Sequence, residues 1–360
     1  MGSAYEHQMY NKKRKRVIEV VLFLSIMGLS FYAIFHGQDL RDIFGEIANL
    51  SLLCIFEALL VAVLFVSIEG CIIFYLLHSL GGKSGLLRCI SYSFIGFFYS
   101  GITPSATGGQ PMQLYYMKKD GNNMADSSVV LMIVALIYKF VLIIFGILML
   151  IFWNQPLRFY LQGYFGLYLL GLGLNIILVL LLLGVMLMPE GMKNIILKIG
   201  KLLEMINVLK KSEKRNEKVI EFVDGYQNAV QYLISNKKKV CVAVGLTFLQ
   251  RFSIFFLTYI IYIGFDLQGT SMHTIVLLQA AVYIAVDMLP IPGAQGITEL
   301  MYQSVFKAIF SKIYLMSSLY VIRGISFYFL LMLSIVVVII NWICRRRREN
   351  RKGVKNETVL

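Results

Sequence analysis

The chain has 360 residues, of which 58% are hydrophobic, and its mean hydropathy is +0.73. This composition excludes an ordinary soluble domain and predicts an all-α polytopic membrane protein. The formal net charge of +14 does not indicate a nucleic-acid partner, because the lysines and arginines stand in short clusters beside apolar segments, which is the positive-inside pattern of a membrane protein.

Six apolar stretches are long enough to cross a bilayer as helices, which takes about 20 residues each. The basic residues that flank them place both chain termini in the cytoplasm. The basic N-terminus, residues 1–16, resembles the start of a signal peptide, but the apolar run after it is too long and more membrane follows. We therefore predict an uncleaved first span. The six predicted spans are Val17–Phe35, Leu50–Leu77, Ser128–Trp153, Tyr164–Met188, Val240–Ile263 and Ile313–Ile343.

Two further apolar stretches are interrupted by proline and glycine, and we predict that each forms a re-entrant helical hairpin. The first, residues 89–117, contains G-I-T-P-S-A-T-G-G-Q-P at Gly101–Pro111 and begins and ends on the cytoplasmic side. The second, residues 274–310, contains D-M-L-P-I-P-G-A-Q-G-I-T-E at Asp287–Glu299 and begins and ends outside. Because an unwound backbone cannot face lipid, both breaks must be buried in protein or line a wet cavity.

The order of spans and hairpins predicts two halves of opposite orientation. Residues 17–153 and residues 164–343 each contain two spans, a hairpin and a further span. Pro104 and Pro290 stand 186 positions apart, so the two breaks fall in the same register of the two halves. Such an inverted repeat is the architecture in which transporters place broken helices near the membrane midplane.

Two polar segments are predicted to lie in the cytoplasm. Residues 190–239 show apolar residues at helical spacing, which predicts two amphipathic helices that lie on the membrane or against the bundle. Docking of a partner on these helices is an alternative. The polybasic tail, residues 344–360, is expected to face the anionic inner leaflet.

Charged residues within apolar spans are the strongest functional signal in the chain. Each costs roughly 2.5–3.5 kcal/mol near a helix centre unless it is paired or hydrated. Together they predict either a structural network of ion pairs or a polar cavity that receives a charged headgroup, and the two nearby helix breaks favour the cavity. The residues are Glu69, Lys139, Arg251, Asp287, Glu299 and Arg323.

The two breaks provide hydrogen-bonding groups of their own. Helices that restart after Pro104 and Pro290 would direct free N–H groups and a positive dipole end toward the midplane, where a phosphate would be stabilised. Glycines permit close approach of a ligand, although they could equally serve helix packing alone. The candidate substrate-binding residues here are Thr103, Ser105, Thr107, Gly108, Gly109, Gln110, Gln113, Gly293, Gln295, Gly296 and Thr298.

The sequence shows no catalytic motif. Its four histidines are scattered without metal spacing, and its five cysteines have no paired spacing. Neither a P-loop nor a dinucleotide fingerprint is present, so we predict no cofactor and no metal. Movement of a substrate fits this chain better than chemical conversion.

The sequences at the two breaks resemble motifs of a known protein family. P-I-P-G-A-Q-G-I-T-E resembles the P-I-P-G-G-x-G-x-x-E signature of the transmembrane region of the lysylphosphatidylglycerol synthase/flippase family, to which the multiple peptide resistance factor belongs. T-P-S-A-T-G-G-Q-P resembles the family's T-P-x-x-x-G-G-E-P segment. Lys139 stands where the family has Arg, and Ile322-Arg323 partly matches its late Tyr-Arg pair. The chain departs from the family at Gln110, where Glu is common, and at Ala294 and Gln295.

The resemblance implies transfer of lipids between leaflets of a bacterial inner membrane, and it connects the chain to resistance against cationic antimicrobial peptides. Stand-alone members are linked to phospholipids, glycolipids or polyprenyl lipids. Two-domain members carry a separate aminoacyl-transferase domain that makes lysyl-lipid, and we do not expect that activity here.

We therefore expect a lipid flippase whose polar cavity lies between the hairpins. Lys139, Arg251 and Arg323 would contact a headgroup phosphate, and Asp287 with Glu299 would contact an amine or a sugar hydroxyl. The alternatives are a secondary transporter of a small polar solute, a lipid-modifying transferase and an assembly platform. The expected partners are membrane lipids, a second copy of the chain and a lipid-synthesising enzyme.

Overall fold

All regular secondary structure in the described residues of the structure, a computed structural model, is helical. Those residues are 45–48, 50–103, 107–188, 191, 198, 213–289, 294 and 296–357. In chain order the helices are α1 (Leu52–Ser79), α2 (Leu86–Ile102), α3 (Gly109–Lys119), α4 (Met124–Phe152), α5 (Asn154–Leu161), α6 (Phe165–Leu187), α7 (Glu213–Ser235), α8 (Lys237–Gly264), α9 (Met272–Val286), α10 (Ile297–Phe306), α11 (Lys312–Arg323) and α12 (Leu330–Glu357).

Five helical segments of the described chain are long and apolar enough to cross a membrane. They are Leu52–Ser79, Met124–Phe152, Asn154–Leu187, Lys237–Gly264 and Lys312–Arg345. They correspond to five of the six predicted spans, whereas the first predicted span, Val17–Phe35, lies outside the described residues. The predicted all-α polytopic membrane fold is therefore confirmed.

Each interrupted stretch consists of a short apolar helix, a break and a second short helix. In the first stretch α2 ends at Ile102 and α3 begins at Gly109, and in the second α9 ends at Val286 and α10 begins at Ile297. The helices α2 and α9 contain 17 and 15 residues. That length corresponds to roughly 23–26 Å, which is shorter than the hydrocarbon layer of about 30 Å. The side of the membrane from which each stretch begins stays a prediction, as does the inverted repeat.

The helices of the first hairpin run antiparallel and approach each other closely. A Cβ atom added to Gly109 in α3 would lie 2.8 Å from the carbonyl oxygen of Gly96 in α2. A Cβ atom on Gly108 would lie 3.0 Å from the carbonyl oxygen of Tyr99. No side chain fits at such distances without displacing backbone, so Gly108 and Gly109 serve the packing of this hairpin.

Each hairpin also contacts a glycine on a neighbouring span. A Cβ atom on Gly70 of α1 would lie 2.8 Å from the backbone nitrogen of Ile90 in α2. On Gly171 of α6 it would lie 2.8 Å from the Cα atom of Ala285 in α9, one residue before that helix ends. Small residues let membrane helices pack backbone to backbone. These two contacts hold α2 and α9 firmly against the spans.

The second break turns through two residues with left-handed backbone conformation. Ala294 has a φ of 49° and Gly296 has a φ of 83°. Glycine adopts this region freely, whereas an L residue is disfavoured there by roughly 1–2 kcal/mol. Ala294 occupies the position at which the family signature has glycine. The left-handed backbone conformation at this position explains why glycine suits it.

The amphipathic helix α7 packs against the bundle. A Cβ atom on Gly225 would lie 3.2 Å from the Cβ atom of Ala125 in α4, and the Tyr226 hydroxyl lies 3.6 Å from the Met132 sulfur. Of the two arrangements considered for this segment, α7 adopts the one against the bundle. The earlier part of the segment, residues 190–212, lies almost entirely outside the described residues. The buried face of α7 comprises Val223, Tyr226, Ala229, Val230 and Leu233.

Candidate functional site

The second break is tied to the first half of the chain by an ion pair. Asp287, which directly follows α9, accepts hydrogen bonds from the Lys139 ammonium and the Tyr138 hydroxyl, both on α4. The side chains of Lys139 and Asp287 are only 11% and 12% exposed. Lys139 Nζ also lies 3.2 Å from the sulfur of Met288. The two charges satisfy each other away from water, so neither stands alone in the apolar core.

A second ion pair lies on the other side of the break. Arg323 Nε, at the end of α11, donates to Glu299 Oε1 in the first turn of α10 over 2.5 Å. The side chains are 15% and 6% exposed. Glu299 is also stabilised by the positive end of the α10 dipole. Its second oxygen, Oε2, has no hydrogen-bond partner among the described residues.

Arg251 on α8 is buried between aromatic rings. Its guanidinium carbon lies 4.0 Å from the ring centroid of Tyr138 and 4.7 Å from that of Phe65. Only 5% of the residue is exposed, and its Nε atom has no hydrogen-bond acceptor within the described part of the chain. Arg251 forms no ion pair with a described carboxylate. Stacking on aromatic faces offsets part of its burial cost.

Glu69 on α1 links the first hairpin to this centre. Gln113 Nε2 on α3 donates to Glu69 Oε1 over 2.8 Å, whereas Gln250 Nε2 donates to the carbonyl of Phe65 over 3.0 Å. Arg251 acts on Glu69 electrostatically from a longer distance. The direct hydrogen-bond partner of Glu69 among the described residues is therefore a neutral amide, that of Gln113.

These contacts form one polar chain through the apolar core. It runs from Gln113 in the first hairpin through Glu69, Arg251 and Tyr138 to Asp287 at the second break. Helices α1, α8 and α4 contribute its middle members. Polar side chains therefore extend through the core from one interrupted hairpin to the other.

A cavity of about 210 Å³ adjoins the second break. It lies between the end of α2, the break itself, and helices α9, α10 and α11. Among its described lining residues, Asp287 and Arg323 carry charge. Phe97, Leu289 and Phe327 contribute apolar wall. Further polar side chains that line it are Ser100, Gln279, Tyr283, Thr298, Tyr302 and Ser326.

The predicted site residues fall into distinct groups around this cavity. Asp287, Thr298 and Arg323 line it. Lys139 and Glu299 lie directly behind it as the ion-pair partners of two lining residues. Glu69, Gln113 and Arg251 belong to the polar chain. Ser105, Gly293 and Gln295 lie outside the described residues, as do Pro104 and Pro290.

The remaining candidates at the breaks have local roles or are exposed. The Thr103 hydroxyl donates to the carbonyl of Tyr99 over 2.6 Å and accepts the N–H of Gly108 over 2.9 Å, so it caps the broken helix. Thr298 donates to the carbonyl of Ala294 over 2.7 Å. Gly108, Gly109 and Gly296 have the packing and turning roles described above, whereas Thr107 and Gln110 are exposed.

Several residues in or next to the cavity were not found by sequence reasoning. Tyr138 stands next to Lys139, and Gln279 is an isolated polar residue in an apolar helix, so both carried a usable signal. The π-helical turn Gly324–Phe329, directly after Arg323, has no recognisable sequence signal. Insertion of a π turn re-aims side chains and is frequent at functional sites. Here it brings Ser326 to the cavity wall.

A second polar cluster ties the other end of the first hairpin to α12. Asp120 accepts from the Tyr92 hydroxyl over 2.6 Å and from Arg345 Nη2 over 3.0 Å. Arg88 Nε lies 3.6 Å from the same carboxylate. From the sequence, positive-inside patterning alone accounts for these arginines. Their contacts show that they also hold α2, α3 and α12 together.

The spans, the interrupted hairpins and the polar cavity define a polytopic α-helical membrane protein with a polar site in its core. Residues 16–334 match the family described as Lysylphosphatidylglycerol synthase TM region, and the chain belongs to that family. The resemblance carried by the two proline-glycine motifs is thus confirmed. The family connects the protein with a lipid-related function at a membrane. Comparison with curated proteins yields no match.

Proposed function

We propose that this protein moves lipid headgroups between the leaflets of the membrane. The observation that carries the proposal is the cavity beside the second break, which places Asp287 and Arg323 within an apolar bundle. A polar headgroup cannot cross hydrocarbon unaided, because each buried unpaired charge costs several kcal/mol. A cavity with charged walls provides an alternative environment for the headgroup, while the acyl chains remain in lipid.

The polar groups divide into two sets by charge. Arg323, with Lys139 behind the cavity wall, would stabilise a headgroup phosphate. Arg251 is not among the described lining residues and would act on the cavity through Tyr138, which donates to Asp287. Asp287 and Glu299 would accept hydrogen bonds from an amine or a hydroxyl. The polar chain between the hairpins supports alternating access, in which an inverted repeat would rock about a fixed site.

Reconstitution into liposomes tests this proposal. A phospholipid with a fluorescent acyl chain would be incorporated, and a membrane-impermeant reductant would report the fraction exposed outside. We expect the purified protein to raise the rate of transfer well above that of protein-free liposomes. Equal rates would refute the proposal. Uptake of a small polar solute without lipid movement would instead favour a secondary transporter.

We also propose a bacterial inner-membrane location with both termini in the cytoplasm, which the clusters of basic residues support. Single cysteines at Lys119 and Lys312, in a variant without other cysteines, test this orientation. Both positions are exposed: Lys119 is the last residue of the hairpin helix α3, and Lys312 is the first residue of α11, after the second hairpin. An impermeant thiol reagent added outside the cell should label only the cysteine at 312. Labelling of both from the same side would contradict the orientation.

A further inference from the structure

The formal charges of the described residues that line the cavity, and of their ion-pair partners, cancel. The charged residues among its described lining are one acid and one base, Asp287 and Arg323. Each has an opposite charge directly behind it, because Asp287 pairs with Lys139 and Arg323 pairs with Glu299. The four groups carry no net formal charge. A ligand that enters the cavity therefore meets neither an excess of cations nor an excess of anions.

This balance has a consequence for the headgroup. A phosphate that bound Arg323 alone would draw the guanidinium from Glu299, and that buried carboxylate would be left without its cation. A ligand with both a phosphate and an ammonium avoids this, since the ammonium replaces Arg323 at the carboxylate. We infer that the headgroup is a small zwitterion with one phosphodiester and one primary ammonium, an inference that rests on the proposed lipid transfer.

Two unpartnered atoms support the primary ammonium. Glu299 Oε2 and the Gln279 amide oxygen are buried and have no donor among the described residues. Glu299 is 5% exposed and Gln279, which lines the cavity, is 7% exposed. Both atoms are acceptors, so the group they lack is a donor. A primary ammonium offers three N–H donors, whereas a trimethylammonium offers none.

The size of the cavity restricts the headgroup further. Its volume of about 210 Å³ lies below the range of pockets for drug-sized ligands, which begins at about 300 Å³. A single ethanolamine-like group suits this space, whereas an oligosaccharide does not. Phe97 and Phe327 in the wall provide apolar surface for the methylene groups between phosphate and ammonium.

The test compares three phospholipids with identical labelled acyl chains and ethanolamine, choline or glycerol headgroups. We expect transfer of the ethanolamine lipid to be at least about tenfold faster than that of the other two, which corresponds to 1.4 kcal/mol. Choline keeps the zwitterion but lacks N–H donors, and glycerol lacks the positive charge. Each comparison therefore isolates one feature of the headgroup.

A neutral substitution at Gln279 separates donor recognition from charge balance. Gln279→Leu removes the unpartnered amide oxygen and strands no charge, so the variant should fold. Its preference for ethanolamine over choline should fall severalfold, while its preference for ethanolamine over glycerol persists. Glu221→Gln, which changes an exposed residue of α7, should leave both preferences unaltered.

The possible results distinguish the inference from the proposed function. Equal transfer of the three lipids, or fastest transfer of the glycerol lipid, would overturn the zwitterion while leaving lipid transfer intact. An unchanged preference in Gln279→Leu would overturn the role of the unpartnered amide in recognising the ammonium. Absence of transfer for every lipid would overturn the proposed function, and the headgroup inference with it.

Discussion

Replacing Arg323 by glutamine should lower the free energy of unfolding by about 3–5 kcal/mol and stop lipid transfer. The reason is the position of Glu299, whose side chain is 6% exposed and bonded to Arg323 Nε over 2.5 Å. Its other oxygen already has no partner among the described residues. Without the guanidinium, a buried carboxylate would remain with its charge uncompensated. Unfolding in detergent micelles measures the stability, and the liposome assay measures the transfer.

The double variant E299Q/R323Q decides whether this ion pair is structural or functional. It removes both charges and leaves two amides that can bond to each other, so stability should return to within about 1 kcal/mol of the parent. Transfer should remain absent, because the cavity would have lost Arg323, the cationic group of its described lining. Recovery of transfer together with stability would show that the pair only holds α10 to α11. Glu221→Gln again serves as the control for loss of a carboxylate.

The charged residues and the helix breaks could be predicted from the sequence. Which acidic residue forms an ion pair with which basic residue could not. Near a helix centre every unpaired charge is costly, so Lys139, Asp287, Glu299 and Arg323 were expected to find partners. Which cation meets which anion depends on how helices from distant parts of the chain pack. Asp287 reaches across to α4 in the first half, while Glu299 stays within the second half. Hydropathy contains no information about that choice.

Backbone conformation at the breaks was only partly predictable. Proline and glycine indicate that a helix stops, and the helix ends at Ile102 and Val286 agree with that. Glycine also predicts close approach, as at Gly109. The left-handed conformation of Ala294 could not be expected from its own residue type, since alanine disfavours it. The π-helical turn at Gly324–Phe329 likewise has no signal in the residue types.

Two glutamines of the first hairpin, Gln110 and Gln113, differ in how deeply they are buried. Gln110 and Gln113 were equal candidates by composition. Gln113 is 4% exposed and bonded to Glu69, whereas Gln110, in the first turn of α3, is exposed. Position along a short helix decides how deeply a side chain is buried. A break locates a polar region in the sequence, but it does not rank the residues within that region.

Arg251 should behave in the opposite way to Arg323. In Arg251→Met we expect the free energy of unfolding to change by less than about 1 kcal/mol, because two effects nearly cancel. Removing a charge from a helix centre gains roughly 2.5–3.5 kcal/mol. Losing the stacking on Tyr138 and Phe65 costs roughly 0.5–2 kcal/mol for each ring. No described carboxylate is stranded, since none forms an ion pair with Arg251.

Transfer should nevertheless fall by about 10- to 100-fold in Arg251→Met, the usual cost of losing a residue that positions a binding group, because Arg251 stacks on Tyr138 and Tyr138 donates to Asp287 in the cavity wall. Such loss of activity without loss of stability is expected for a residue retained for function. Arg158→Met is the matched control, because Arg158 is exposed and its guanidinium carbon lies 4.6 Å from the Phe165 ring centroid. Arg158→Met should change neither the free energy of unfolding nor the rate of lipid transfer. A destabilised Arg251→Met protein with normal transfer would assign Arg251 to the structural core and remove it from the proposed headgroup site.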